Sequence, residues 1–433
     1  MDIALHHGEF VAALARMEHA GVPIDMDVFP LLADKAAWRY VRDAMVPTID
    51  AAYGVYTKGP KGDWHFSLEL FEQYLARVGI IGWPRTEKGK LSTKRKTFEN
   101  MTKGHPRLEA LRQLRHTRDK MRKIKLAVGA DGRNRTVLWP FKSKSSRTQP
   151  KASQWIFSPA VWLRSLIKPA FGMAVAYVDY SAMEFMIAAS LSGDPVMIEF
   201  YRSGDPYLSF AKRVGAAPLD ATKYTHAALR ERYKTGLLAI QYGIQAETLA
   251  GRLGISVFAA HEMIAQHRQL FAVYWRWTDD WLAHALDTGV MRTVLHWECR
   301  TGITEFNSRS IQNFPVQAHG ADILRIACVW ATRYGLGLRA PVHDALLIEA
   351  PIEQIEADVA LLQKIMRRAS RVVLNPTVDG TLDIRTDVKF VRYPERYSDP
   401  RGDEIWANVL GLLADYQHQR AAAQQAEEGV TSA

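Results

Sequence analysis

The chain is poor in cysteine, with two in 433 residues. That excludes a disulfide framework, and Cys299 and Cys328 read as free thiols in a reducing compartment. The His/Cys spacing of a zinc centre is missing too. No apolar run approaches the ~20 residues that a membrane helix needs. The opening stretch, MDIALHHGEF, has neither a basic nor an apolar leader region, so no export and no membrane partner are expected, and the expected location is cytoplasmic. Internal repeats are absent. What remains is a globular chain too long for one ordinary core, with two or three subdomains expected.

Charge is present in excess and in one place. Lys and Arg outnumber Asp and Glu by 56 to 46, a net +10. Thirteen of those cations fall between Arg112 and Lys151, against only Asp119 and Asp131, so the rest of the chain is about neutral. A localised basic excess is the footprint of a polyanion, although a solvated helix face gives the same pattern. Trp139, Phe141, Ser143 and Arg147 lie in the same stretch, and that mix suits nucleic acid better than a membrane surface.

Periodicity predicts a helix over 8–20, stopped by Gly21 and Pro23, and a second from Asp27 as cap to about Tyr53. A basic helix is expected from His105-Pro106 to about Val128, then short strands over 133–180. Ser181 to Leu191 reads as a helix closed by Gly193. Ala227–Tyr242 is the clearest helix of a broken helical region. Hairpins are expected over 290–306 and 336–350, with the second turn at His343-Asp344. Between them, Ser308–Tyr334 is helical with an interruption at Pro315. A helix over Ile352–Val373 and a strand over Thr381–Val391 follow, and the Ala/Gln/Glu-rich tail beyond Gln417 reads as disordered.

Three constellations carry chemistry. Asp179 ends the apolar run Ala174–Val178, where a carboxylate is costly unless it is capped, paired or metal-bound. A lone Asp there would be a helix cap, but Asp344 sits in a second such setting, between two apolar runs. Two converging carboxylates can hold two hard divalent cations. Arg230, Lys234, Leu238 and Tyr242 repeat every four residues and share one helical stripe, cations first and large apolar groups after. Such a stripe suits a triphosphate at one end and a base at the other. Arg309, Asn313 and Gln317 repeat at the same spacing and can bond minor-groove acceptors present in every base pair.

Together these clusters resemble the family A DNA polymerases of the bacterial DNA polymerase I type, especially phage and prophage relatives. Asp179-Tyr-Ser-Ala-Met-Glu184 with Leu191-Ser-Gly-Asp194 looks like motif A, Arg230-xxx-Lys234-xxxxxxx-Tyr242-Gly243 like motif B, and Val342-His343-Asp344 like motif C. Leu14–Asp25 and Thr86–Thr93 resemble the thumb of that family.

The resemblance implies an α+β right hand. Its parts would be a thumb over 1–130, a palm with an antiparallel sheet over 131–205 and 291–395, helical fingers over 206–290, and a C-terminal helix and tail over 396–433. It implies template-directed addition of dNTPs to a primer 3′-OH with two Mg²⁺ ions, for which Mn²⁺ can substitute. Asp179, Asp344 and the Tyr180 carbonyl would hold the metals. Arg230 and Lys234 would bind the triphosphate, and Lys234 would protonate the leaving pyrophosphate. Tyr242 and Leu238 would flank the nascent base pair, and Glu184 would close the space of a ribose 2′-OH. Arg147, Arg309, Asn313, Gln317 and His343 would contact the primer–template.

The chain departs from the family pattern at four points. Leu238 replaces an aromatic, Ala345 replaces the Glu that many members carry after the motif C Asp, and Pro341 stands in the strand before it, which confines that strand to an edge or bulge. The family's exonuclease and 5′-nuclease domains have no counterpart, so no intrinsic proofreading is expected, with room for a separate exonuclease or processivity protein. The rival readings are a catalytically weakened primer–template-binding protein of the same fold and a single-subunit RNA polymerase.

Overall fold

The computed structural model describes residues 3–431 apart from 61, 121–122, 158–159, 302–307 and 375–381. The chain divides into two compact units. One is Met1–Val22, Arg135–Lys151 and Pro169–Tyr393; the other is Pro23–Asn134, Ala152–Lys168 and Pro394–Ala433. The expected first segment, 1–130, therefore falls across both.

The elements that position the site all belong to the first unit. In chain order they are α1 (Ile3–Ala20), β1 (Met173–Tyr180), α2 (Met183–Ser192), α3 (Pro206–Arg213), α4 (Ala227–Gln241), α5 (Ser308–Arg333), β2 (Leu338–Val342), β3 (Ala345–Pro351), α6 (Ile355–Val373) and β4 (Thr386–Arg392). The sheet order is β2-β3-β1-β4, antiparallel throughout. Central β1 is apolar through Ala174–Ala176 and Val178 because it is covered by neighbours, and the Tyr180 hydroxyl donates to the Met366 carbonyl of α6 at 2.7 Å. Pro341 lies on edge strand β2, opposite Leu346, beside a register shift between Leu338 and Ala340. An edge strand can spare the missing N–H, as the sequence demanded.

α5 runs unbroken through Pro315, where an interruption was expected. Proline removes the bond to the carbonyl four residues back. That carbonyl, of Ile311, instead accepts from Trp281 Nε1 at 3.1 Å. Burial on nearly every side hides the helix's periodicity, which is why tertiary contacts override the local break.

Other boundaries moved for local reasons. Asp34, not Asp27, caps the second long helix (Lys35–Asp50), accepting from the Ala36 and Ala37 amides at 3.0 and 2.8 Å. The basic helix covers Glu109–Lys120 and does not reach Val128, which bridges to Asn134 across the Gly129 turn. The first hairpin pairs Val290–Arg292 with Glu298–Arg300; 302–306 and Thr381 lie outside the described residues. The tail forms a helix over Asp403–Thr431 instead of the expected disorder; Ala, Gln and Glu are strong helix formers even where little apolar surface is buried. Both cysteines are free, as expected.

The helix Val257–Leu270 buries His267 completely, with Nδ1 accepting from Trp275 Nε1 at 3.0 Å. Burial, then the charge of Arg268, lower its pKa to about 3. The unfolded imidazole takes a proton near 6.5, so this contribution is intact above that pH and is lost as the pH falls towards 3. We expect the unfolding free energy from urea melts to fall below pH 6, by up to about 1.4 kcal/mol per pH unit for this one group. His267→Phe should flatten that dependence; an unchanged slope would remove His267 as its source.

Candidate active site

The sheet brings the two acids together. Asp179, near the end of β1, sits opposite Ala345 of β3 and Asp387 of β4. Val342 and Ala345 pair, which leaves His343-Asp344 as the two central residues of a tight hairpin. The Tyr180 amide donates to the Asp344 carbonyl at 3.3 Å, tying that hairpin to β1. His343 has φ 57°, in the left-handed region where a non-glycine residue is uncommon, and such strain persists only where the surroundings impose it. After β1, Ala182 (φ 51°) turns the chain directly into α2 and places Glu184 in its first turn.

The Asp179 and Asp344 carboxyls lie within hydrogen-bonding reach of each other. Burial first, and the neighbouring Asp344 second, push the Asp179 carboxyl well above the ordinary carboxylate range. Burial also raises Asp344. Asp179 Oδ1 is buried without a hydrogen-bond partner. A crowded, under-satisfied pair of acids fits a divalent cation, which would relieve the repulsion and fill the orphan oxygen. Among the described residues no group of three or more His, Cys, Asp or Glu is placed to hold a metal alone.

A cleft of about 790 Å³ opens from this pair and is lined by Tyr180, Glu184, Arg230, Lys234 and Leu238, among others. Three members of the predicted stripe, Arg230, Lys234 and Leu238, thus line the same cleft as the acids while Tyr242 does not, and the charge of Lys234 opposes the upward shift of Asp179. Leu238 presents an aliphatic wall where an aromatic would stack.

Glu184 organises the other side. Its Oε1 accepts from Arg147 Nη2 at 3.1 Å and from the Tyr242 hydroxyl at 2.5 Å. Gln317 Nε2 donates to the same hydroxyl at 3.5 Å. Burial, then Glu184, raise the Tyr242 phenol. Tyr242 caps the end of α4, and Gln312 Nε2 on α5 donates to the Gln241 carbonyl at 2.9 Å, so the two helices meet here. Arg309 approaches Gly243, where an added Cβ would stand 3.4 Å from its Cγ. Gln317 therefore joins the predicted cluster directly. Arg309 and Asn313 lie on earlier turns of α5, and His343 is exposed on its hairpin; none of these three lines the cleft.

Several cleft residues escaped the sequence reading: Ser181, Asp205, Lys212, Lys223, Arg385 and Asp387. Ser181 Oγ donates to Asp387 Oδ2 at 2.5 Å, and Asp387 adds its charge to the crowding of Asp179. Asp205-Pro206 carries the signature of a helix start, which points to a cap and conceals any second role.

Part of the basic stretch is spent inside the second unit. Arg112 is buried against Glu109 at 2.6 Å. Arg115 stacks over Phe66 at 3.9 Å, and Arg118 bonds Asp43 at 3.0 Å and the Trp64 carbonyl at 2.8 Å. These arginines tie the unit together and are not free for a polyanion. In the first unit, Lys142 stands 5.5 Å from the ring of Trp139, which is half exposed.

The fold matches the POL domain of Pol1 from M. smegmatis, a structure in complex with DNA primer-template and dNTP, with a TM-score of 0.66 at 23% identity over 88% of this chain and 69% of that one. Residues 155–390, more than half the chain, match the model of DNA polymerase family A, and the chain belongs to that family. Curated relatives include the DNA polymerase I of Mycobacterium tuberculosis H37Rv (27% identical, covering 81% of this chain and 41% of the relative). The thermostable DNA polymerase I of Thermus aquaticus is also 27% identical, over 82% and 44%. The enzyme of Aquifex aeolicus is 25% identical, over 86% and 64%. The chain spans about two-fifths of the length of the mycobacterial relative. Among the described residues no helix is long and apolar enough to cross a membrane.

Proposed function

We propose that this chain is a DNA-directed DNA polymerase that extends a primer 3′-OH with dNTPs by two-metal-ion phosphoryl transfer. The observation that carries the reading is the Asp179–Asp344 pair lining one cleft with Arg230 and Lys234. On this reading the strands form the palm, 206–290 the fingers, and the N-terminal part the thumb.

Asp179, Asp344 and the Tyr180 carbonyl would hold two Mg²⁺ ions, with Mn²⁺ as a substitute. Bound there, such ions supply Lewis-acid activation of the attacking hydroxyl and charge relief at the α-phosphate and leaving pyrophosphate. The chain's own residues do the rest. Arg230 grips the outer phosphates through its planar fork, and Lys234 holds the adjoining phosphate and delivers a proton to the departing pyrophosphate. Glu184, clamped by Arg147 and Tyr242, bars the space of a 2′-OH. Tyr242 and Leu238 flank the incoming base. Arg147, Arg309, Asn313, Gln317 and His343 hold the primer–template, mainly through phosphate and minor-groove contacts that ignore sequence. We further infer that the 433-residue chain does not proofread; purified protein should leave a mismatched primer terminus undegraded.

Primer extension with dNTPs beside rNTPs tests the reading. Wild type should extend with dNTPs and strongly prefer them. Glu184→Ala should lower that preference by about 10²-fold while leaving dNTP addition measurable. Preferential ribonucleotide addition by wild type would favour the RNA polymerase reading. Absence of extension with DNA binding intact would favour a binding protein.

A further inference from the structure

Arg230 does not stand free in the cleft. Its Nε is ion-paired to Asp205 Oδ2, and its guanidinium lies 5.8 Å from the ring centroid of Tyr207. Asp205 has two jobs. Oδ1 caps α3, accepting from the Tyr207 and Leu208 amides at 3.1 and 3.2 Å, while Oδ2 takes Arg230. The cap fixes the carboxylate at the helix N-terminus, where the helix dipole favours negative charge. When Arg230 leaves, this acid stays in the cleft wall and remains ready to take it back.

Resting on the reading that Arg230 binds the outer phosphate, we propose that Asp205 is a positioning residue that competes with the terminal phosphate of a nucleoside triphosphate for Arg230. Without nucleotide, the pair holds α4 to α3. A triphosphate that reaches Arg230 displaces a single carboxylate with a more highly charged, fork-matched phosphate. A diphosphate that stops short leaves the pair intact. The pair is only partly buried, with Arg230 at 28% and Asp205 at 18% side-chain exposure, so water screens it and it can be broken. A binding-competent form that is a minority lowers apparent affinity by the same fraction. An Arg230 held nine parts in ten costs about tenfold in triphosphate affinity.

The test is equilibrium displacement of a fluorescent dATP by dATP or dADP. The protein is bound to a primer–template with a dideoxy terminus, so no chemistry occurs. Asp205→Asn keeps a cap-competent side chain and removes the charge; Asp205→Ser serves the same purpose if the first variant folds poorly. Affinity for dATP should tighten about 5- to 10-fold and for dADP less than about 2-fold. A residue that only capped the helix would not tighten one nucleotide selectively. Arg230→Ala separates the two layers. If it weakens dATP while the Asp205 variants change nothing, weaken binding, or tighten both nucleotides alike, the competition is overturned and the assignment of Arg230 stands. If Arg230→Ala leaves dATP affinity unchanged, the assignment falls and the proposal with it.

Discussion

Asp179→Asn will lower nucleotide incorporation by at least about 10³-fold, the scale of several kcal/mol of lost transition-state charge stabilisation. It will leave primer–template binding within about 2-fold, since the duplex contacts are assigned elsewhere. The loss will not come from unfolding. The folded pKa of Asp179 is raised by burial and by Asp344, so the ionised acid costs stability once the pH exceeds its unfolded value, and the cost grows towards the folded pKa. Removing that charge should leave the metal-free protein about as stable as wild type near pH 4 and more stable near pH 8. Magnesium should raise the melting temperature of wild type and do so much less in the variant, because a ligand that binds only the folded form stabilises by mass action. Thermal melts at both pH values with and without Mg²⁺, beside single-turnover extension, check all of this. Full activity in the variant would end the metal-site reading.

Lys234→Ala will lower the maximal rate by about 10² to 10⁴, the range for a positioned general acid, and will also weaken dNTP binding. The lysine sits in the cleft close enough for its charge to act on Asp179. The two roles separate with Lys234→Arg. Arginine keeps the cation and the phosphate contact but does not release a proton at accessible pH. Its dNTP dissociation constant should stay near wild type while the chemical step remains slow. Rapid-quench kinetics at saturating dNTP reads the step directly. An arginine variant with wild-type chemistry would leave Lys234 as a phosphate ligand alone.

Much of this site was legible in the chain itself. An acid at the end of a buried strand, a second in a two-residue turn, and cations every four residues before apolar groups are local patterns with fixed geometric consequences. Helical spacing puts Arg230, Lys234 and Leu238 on one cleft wall whatever the neighbours are. Strand chemistry sends Pro341 to an edge whatever the sheet order is.

Which charges remain free was settled only by tertiary structure. Asp205 reads as a helix cap until folding brings its second oxygen to Arg230. Asp387 reads as an ordinary strand residue until β4 pairs beside Asp179. Arg112, Arg115 and Arg118 read as a polyanion footprint until Glu109, Phe66 and Asp43 claim them. Pro315 reads as a break until Trp281 takes the abandoned carbonyl. The physical reason is the same in each case. Periodicity and capping act over a few residues and are written in spacing, whereas an ion pair or a rescued carbonyl depends on which distant side chain arrives, and that is decided by packing.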